Sequence, residues 1–124
     1  MTDSELAKAA VRILDKRKAE NISAIEITDC TIIADYFVLA TATSTTHVKS
    51  LSGELEDKLK ELGAELHHVE GRSSGWVLLD YGTVIIHIFT EDQRDYYKLE
   101  RLWDDGKALD LTEIFEQNKK ELEH

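Results

Sequence analysis

Residues 76–89 read WVLLDYGTVIIHIF. Two runs of about six residues, both rich in aliphatic and aromatic side chains, meet at Tyr81-Gly82, and runs this long and this close predict an antiparallel hairpin. With Tyr81 and Gly82 as the loop, Trp76 falls opposite His87, Leu78 opposite Ile85 and Asp80 opposite Thr83. Successive side chains on a strand point to opposite faces. One face then carries Trp76, Leu78, Asp80, Ile85 and His87, and the other carries Val77, Leu79, Val84, Ile86 and Ile88, with no polar atom in the set. The second set reads as core. The first has the makeup of a recognition surface with an aromatic anchor, or else of a second covered face holding a satisfied histidine.

Upstream of the hairpin, 66–69 reads as a weak strand, and before it Val48, Leu51, Leu55, Leu59 and Leu62 form a helical stripe. Ser44, Thr45 and Thr46 offer its N-cap, and Gly63 is placed to end it as the C′ residue. The run 36–41 is aromatic and β-branched on both parities, which fits a strand covered on both faces. A short strand is predicted over 22–27, ending in the turn-prone residues 28–31. At the N-terminus, Thr2 or Asp3 caps a helix to about residue 18, with Leu6, Ala9, Ala10, Ile13 and Leu14 at helical spacing. Downstream of the hairpin a third helix is expected from about residue 91, with Tyr97, Leu99, Leu102 and Trp103 available for packing. Residues 104–106 end it. The order αββαβββα predicts one α/β domain, a mixed sheet of about five strands flanked by helices in two or three layers. The domain is expected to span 1–106. Residues 107–124 read as a tail, partly helical or disordered, whose last three residues resemble a tag scar.

The chain has 124 residues, long enough for one core. It has no proline and a single cysteine, Cys30, so no disulfide within the chain is available. No run of eighteen apolar residues and no secretory pattern are present, which predicts a cytoplasmic protein away from membranes. The net charge is -10, with five Lys/Arg against four acids over 1–21, four against ten over 22–90, and six against eleven over 91–124. Such a surface repels phosphate backbones and suits a basic partner.

Catalytic motifs are scarce. Gly71-Arg72-Ser73-Ser74-Gly75 leads into a strand, whereas a phosphate loop opens a helix and supplies a lysine. Residues 41–47 join a strand to a helix N-terminus and are better placed for a nucleotide, although capping explains them as well. Asp29 and Asp35 would lie about 20 Å apart on an extended segment, too far for a two-metal site. His67 and His68 are adjacent and cannot easily share an ion. A Cys30 and His47 dyad has nothing in the sequence to orient it.

Several segments in order resemble one known family, the ribosomal silencing factors or Iojap-like proteins. They are Asp35-Tyr36-Phe37-Val38-Leu39-Ala40-Thr41, Ser44 with His47-Val48, Glu70-Gly71, Trp76-Val77-Leu78-Leu79-Asp80-Tyr81-Gly82, Val84 through Phe89, Tyr96-Tyr97, and Leu99-Glu100-Arg101-Leu102-Trp103. The resemblance covers nearly all of 1–106. It implies a nucleotidyltransferase-like fold without that catalysis, no cofactor or metal, and a homodimer when free. Such proteins bind the large ribosomal subunit through ribosomal protein uL-fourteen, with little direct nucleic-acid contact, and block joining of the small subunit. Translation falls when nutrients are short. Carried over residue by residue, the resemblance implies a partner surface of Glu70, Trp76, Leu78, Asp80 and His87, with Tyr81, Tyr97 and Glu100 as neighbours. Ala42, Leu66 and Gly106 depart from the family's frequent glycine, proline and alanine. The rival expectation is a nucleotidyltransferase-like enzyme or nucleotide-binding domain using 41–47.

Overall fold

Helix α1, Asp3–Lys16, begins where Thr2 accepts the Glu5 N–H on its side chain, with Asp3 and Glu5 in the first turn and Lys16 in the last. These charges complement the helix dipole. The computed structural model describes residues 2–27, 34–71, 75–97 and 106–122. The predicted stripe is rotated: Leu6, Ala7, Ala10, Val11 and Leu14 are the buried set, while Ala9 and Ile13 pack at its margin. Small Ala7 and Ala10 let the helix sit close to the sheet.

Strands β1, Glu20–Glu26, and β2, Tyr36–Ala42, pair antiparallel, with an irregularity in register between Glu20 and Ser23. Helix α2, Thr45–Glu61, is capped by Ser44, whose hydroxyl accepts the His47 N–H. It ends as the sequence predicts, with Gly63 at φ +90° and the N–H groups of Gly63 and Ala64 returning to the Lys60 and Leu59 carbonyls. Leu62 departs from the predicted stripe. The helix stops at Glu61, so Leu62 leaves the buried row and is the large hydrophobic side chain most exposed among the described residues, at 52%.

Next come β3, His68–Glu70, β4, Trp76–Asp80, β5, Val84–Thr90, and α3, Glu91–Tyr97. The hairpin forms, but its register differs from the expected one by two residues. Trp76 opposes Phe89, Leu78 opposes His87 and Asp80 opposes Ile85, while the Tyr81 N–H donates to the Val84 carbonyl. The loop is therefore Gly82-Thr83, with Gly82 at φ +89° in the first loop position, where a side chain is disfavoured. A tyrosine, by contrast, is at ease at the end of a strand. Because the slip is even, every residue keeps its face. Gly82→Ala should lower unfolding stability by about 1–2 kcal/mol, since an added Cβ would meet the His67 ring at 3.1 Å in a left-handed backbone. Denaturant titration measures this directly.

The sheet has six strands in the order β3-β4-β5-β2-β1-β6, where β6 is Lys107–Ala108, paired antiparallel with β1. β2 and β5 run parallel at its centre, and α2 lies on the connection between them. Both central strands are buried along almost their whole length, as the apolar residues on both parities predict for β2. One face packs against α1, α2 and Leu111, joining Val38, Ala40, Val77, Leu79, Ile86 and Ile88 to the helix stripes. The other holds a smaller cluster, Ile25, Ile27, Ala34, Phe37, Leu39, Ile85 and Phe89, with Trp76 and Leu78 against it.

Residues 107–122 pack against α1 and β1. Helix α4, Thr112–Leu122, places Asn118, 1% exposed, so that its Nδ2 donates to the Arg12 carbonyl and to Asp15 Oδ2. Leu111 is buried beside α1, and the Leu109 N–H donates to the Ala24 carbonyl. The charged look of the tail hid this, because one buried asparagine and a few apolar residues suffice to dock a short helix. Gly106 has its own reason. A Cβ there would clash with Ile25 Cγ2 and crowd the Glu26 carbonyl and Ile27 Cγ2, each at 3.1 Å. Gly106→Ala should therefore cost roughly 1–3 kcal/mol by overpacking, read as a fall in the denaturation midpoint.

Candidate partner-binding face

The even register brings most of the predicted site residues together. On the face opposite α1 and α2, β3 offers His68 and Glu70, β4 offers Trp76, Leu78 and Asp80, and β5 offers Ile85, His87 and Phe89. Glu70 pairs across to Leu78, which pairs in turn to His87, and His68 pairs to Asp80. Trp76, Leu78 and Asp80 are half-buried, and Glu70 is exposed. The five residues Glu70, Trp76, Leu78, Asp80 and His87 thus share one surface running inward from the β3 edge.

Their roles differ. His87 is 5% exposed, so it sits beneath the surface rather than on it. Burial pushes its imidazole down from 6.5 to about 4, which leaves it neutral near pH 7. Its Nδ1 accepts the Trp76 Nε1–H at 3.2 Å, and its ring lies 6.0 Å from the indole and 5.6 Å from Phe37. Asp80 uses Oδ1 to accept the Gly82 N–H at 2.7 Å, fixing the hairpin turn. Glu70 Oε1 meets His68 Nε2 at 2.9 Å, an exposed pair.

Tyr81 does not join this face. It points to the helical side and is 6% exposed; burial, aided by the Glu56 carboxylate, pushes its phenol up to about 12. Its hydroxyl finds no hydrogen-bond partner among the described residues. Neighbours on a strand diverge, which separates Tyr81 from Asp80. Tyr97 closes α3, its side chain lies outside the described residues, and so does Glu100.

Sequence reasoning missed Phe89 and Arg94. Phe89 shares the parity of His87 and packs 6.4 Å from Trp76, so strict alternation along β5 would have found it. Arg94 on α3 is 8% exposed, and no local pattern marks it. Its guanidinium stacks 5.3 Å from the Phe89 ring centre, and Nη1 donates to Thr41 Oγ1 and the Asn21 carbonyl.

At the turn between β2 and α2, the polar groups bond to one another. Ser44 caps α2, the Thr43 N–H donates to His47 Nδ1, and His47 Nε2 faces the Arg17 carbonyl at 2.9 Å. Among the described residues no group of three or more His, Cys, Asp or Glu could hold a metal ion. Asp29 and Cys30, and with them the possible pairings with Asp35 and His47, lie outside the described residues. No described helix is long and apolar enough to cross a membrane.

Comparison with known proteins agrees with this architecture. The family described as "Ribosomal silencing factor during starvation" matches residues 1–124. A ribosomal silencing factor of Halalkalibacterium halodurans is 37% identical over 115 residues, covering 92% of this chain and 98% of that protein. One from Bacillus subtilis is 35% identical, covering 90% and 95%. The crystal structure of a Chromobacterium violaceum protein superimposes with a TM-score of 0.81 at 35% identity, covering 83% of this chain and 87% of that one. Matched along its whole length, the chain belongs to the ribosomal silencing factor family.

Proposed function

We propose that this protein represses translation by binding the large ribosomal subunit through the basic ribosomal protein uL-fourteen, so that the small subunit cannot join. It acts in the cytoplasm when nutrients are limiting, as a homodimer when free. The observation that carries the reading is the β3–β4 face, where half-buried Trp76 and Leu78 share one surface with Asp80 beyond Leu78 and Glu70 across from it, in a chain of net charge -10. An apolar centre with a charged rim is how protein partners are held, and acids at the rim select a basic surface. Blockade is steric and needs no chemistry. The family resemblance adds Tyr97 and Glu100 to the proposed partner residues.

Subunit joining followed by light scattering tests the reading, together with sedimentation of the protein on isolated subunits. Added protein should slow joining and pellet with large subunits only. Unchanged joining without pelleting would overturn it. Asp80→Asn keeps the acceptor for Gly82 while removing charge. It should weaken binding by roughly 0.5–1 kcal/mol at low salt and less at high salt. A nucleotide at 41–47 is the competing reading, and the capping bonds of Ser44 and His47 speak against it. Nucleoside triphosphate with magnesium should leave the melting temperature unchanged.

A further inference from the structure

The imidazole of His87 occupies a place where aliphatic side chains would pack without cost. Its strand neighbours of the same parity are Ile85 and Phe89, and across the parallel pair it faces Leu39. A buried polar ring in such company is unfavourable unless it is hydrogen-bonded. What the ring provides here is an acceptor. The half-buried indole of Trp76 could turn its N–H to water, yet it turns inward and donates to His87 Nδ1 at 3.2 Å.

We infer that His87 is a positioning residue for Trp76, holding the indole Nε1–H and thereby setting the angle at which the indole is presented on the β4 surface. The inference rests on the reading of that surface as the partner site. Holding the bond requires an unprotonated Nδ1, hence the neutral tautomer with its proton on Nε2. Burial provides for this by pushing the imidazole to about 4, so the acceptor persists across neutral pH. The titratable and charged groups on this face, among the described residues, are His68 and Glu70 from β3, Asp80 from β4 and Arg94 from α3.

Bracing comes from a second direction. Phe89 lies 6.4 Å from the indole, and Arg94, tied to Thr41 and the Asn21 carbonyl, stacks over Phe89. An indole fixed on two sides loses little freedom when a partner covers it, which favours tight binding by preorganisation.

Two leucine-sized or smaller replacements separate positioning from packing. His87→Leu fills space without an acceptor, and His87→Asn restores an acceptor oxygen near the place of Nδ1. Leucine should weaken large-subunit binding about tenfold and move the Trp76 indole 15N–1H resonance, assigned by its loss in Trp76→Phe. Asparagine should stay within about threefold of the unmodified chain. Equal losses in both variants with an unmoved indole resonance would overturn the inference, as would normal binding by His87→Leu. In 15N-labelled unmodified protein, a scalar coupling between Trp76 Nε1 and His87 Nδ1 across the hydrogen bond is expected. Its absence at neutral pH would overturn the inference even if His87→Leu failed to fold. Should the unmodified protein not pellet with large subunits, the partner reading fails, while the coupling still decides whether His87 holds Trp76.

Discussion

Trp76→Ala protein should bind large subunits about thirtyfold more weakly than the unmodified chain, a loss of about 2 kcal/mol. Trp76 is the largest half-buried side chain on the β3–β4 face, and its ring already rests against Phe89 and His87. A partner that covers its outer edge would complete its desolvation, which is where hot spots form. Truncation also removes packing from the smaller apolar cluster, so binding must be measured well below the variant's own melting temperature. A folded Trp76→Ala protein that pellets with large subunits as well as the unmodified chain would remove this face from the interaction. If instead the variant changes only its mass in solution, the face serves self-association.

The second large effect is on stability in acid. His87 titrates near 4 when folded and near its ordinary 6.5 when unfolded. Below pH 6.5 the unfolded chain takes up a proton that the folded chain refuses, so stability falls as pH falls and levels off below about 4. Above 6.5 the contribution is constant. The gap corresponds to about 3 kcal/mol over that window. Carboxylates titrate in the lower part of the same range. Hydrogen bonds from Thr112 hold Asp110 low, and Lys16 with Arg12 holds Glu121 low, so both also lose stabilisation in acid. Asp35 has the opposite sign, being raised by burial and by Asp3. Comparison with His87→Asn isolates the histidine: urea titrations from pH 7 to 4.5 should show a flatter decline in the variant. Parallel declines would mean that His87 does not titrate as a buried base.

Much of this was legible before the fold was known, and particular residues show why. The α2 stripe and its Gly63 terminator obey local rules, since a cap and a helical period depend only on nearby residues. The composition of the Trp76 face survived a two-residue error in register, because alternation depends on parity alone. What escaped was set by where elements end and by distant partners. Leu62 left its stripe because the helix ended one residue before it. Tyr81 turned inward because the tight turn needed Gly82 in its first position. Asn118 and β6 were hidden in a charged segment whose role is decided by Arg12, Asp15 and Ile25, roughly a hundred residues or fewer away in sequence. Arg94 became part of the candidate site only once β5, β2 and α3 were placed side by side.

The parallel pairing of β2 with β5 bears on how the chain is made. During synthesis α1, β1, β2 and α2 leave the exit tunnel with one flank of β2 open, because residues 43–83 must be translated before β5 exists. Loop closure over that distance is slow compared with helix formation. The centre of the sheet therefore closes late, after Thr90, and a chain stalled before Val84 exposes an unpaired apolar strand to its neighbours. A quality-control protease should clear such fragments quickly. The protein thus gains the surface proposed to grip a large subunit only after β5 has emerged from one.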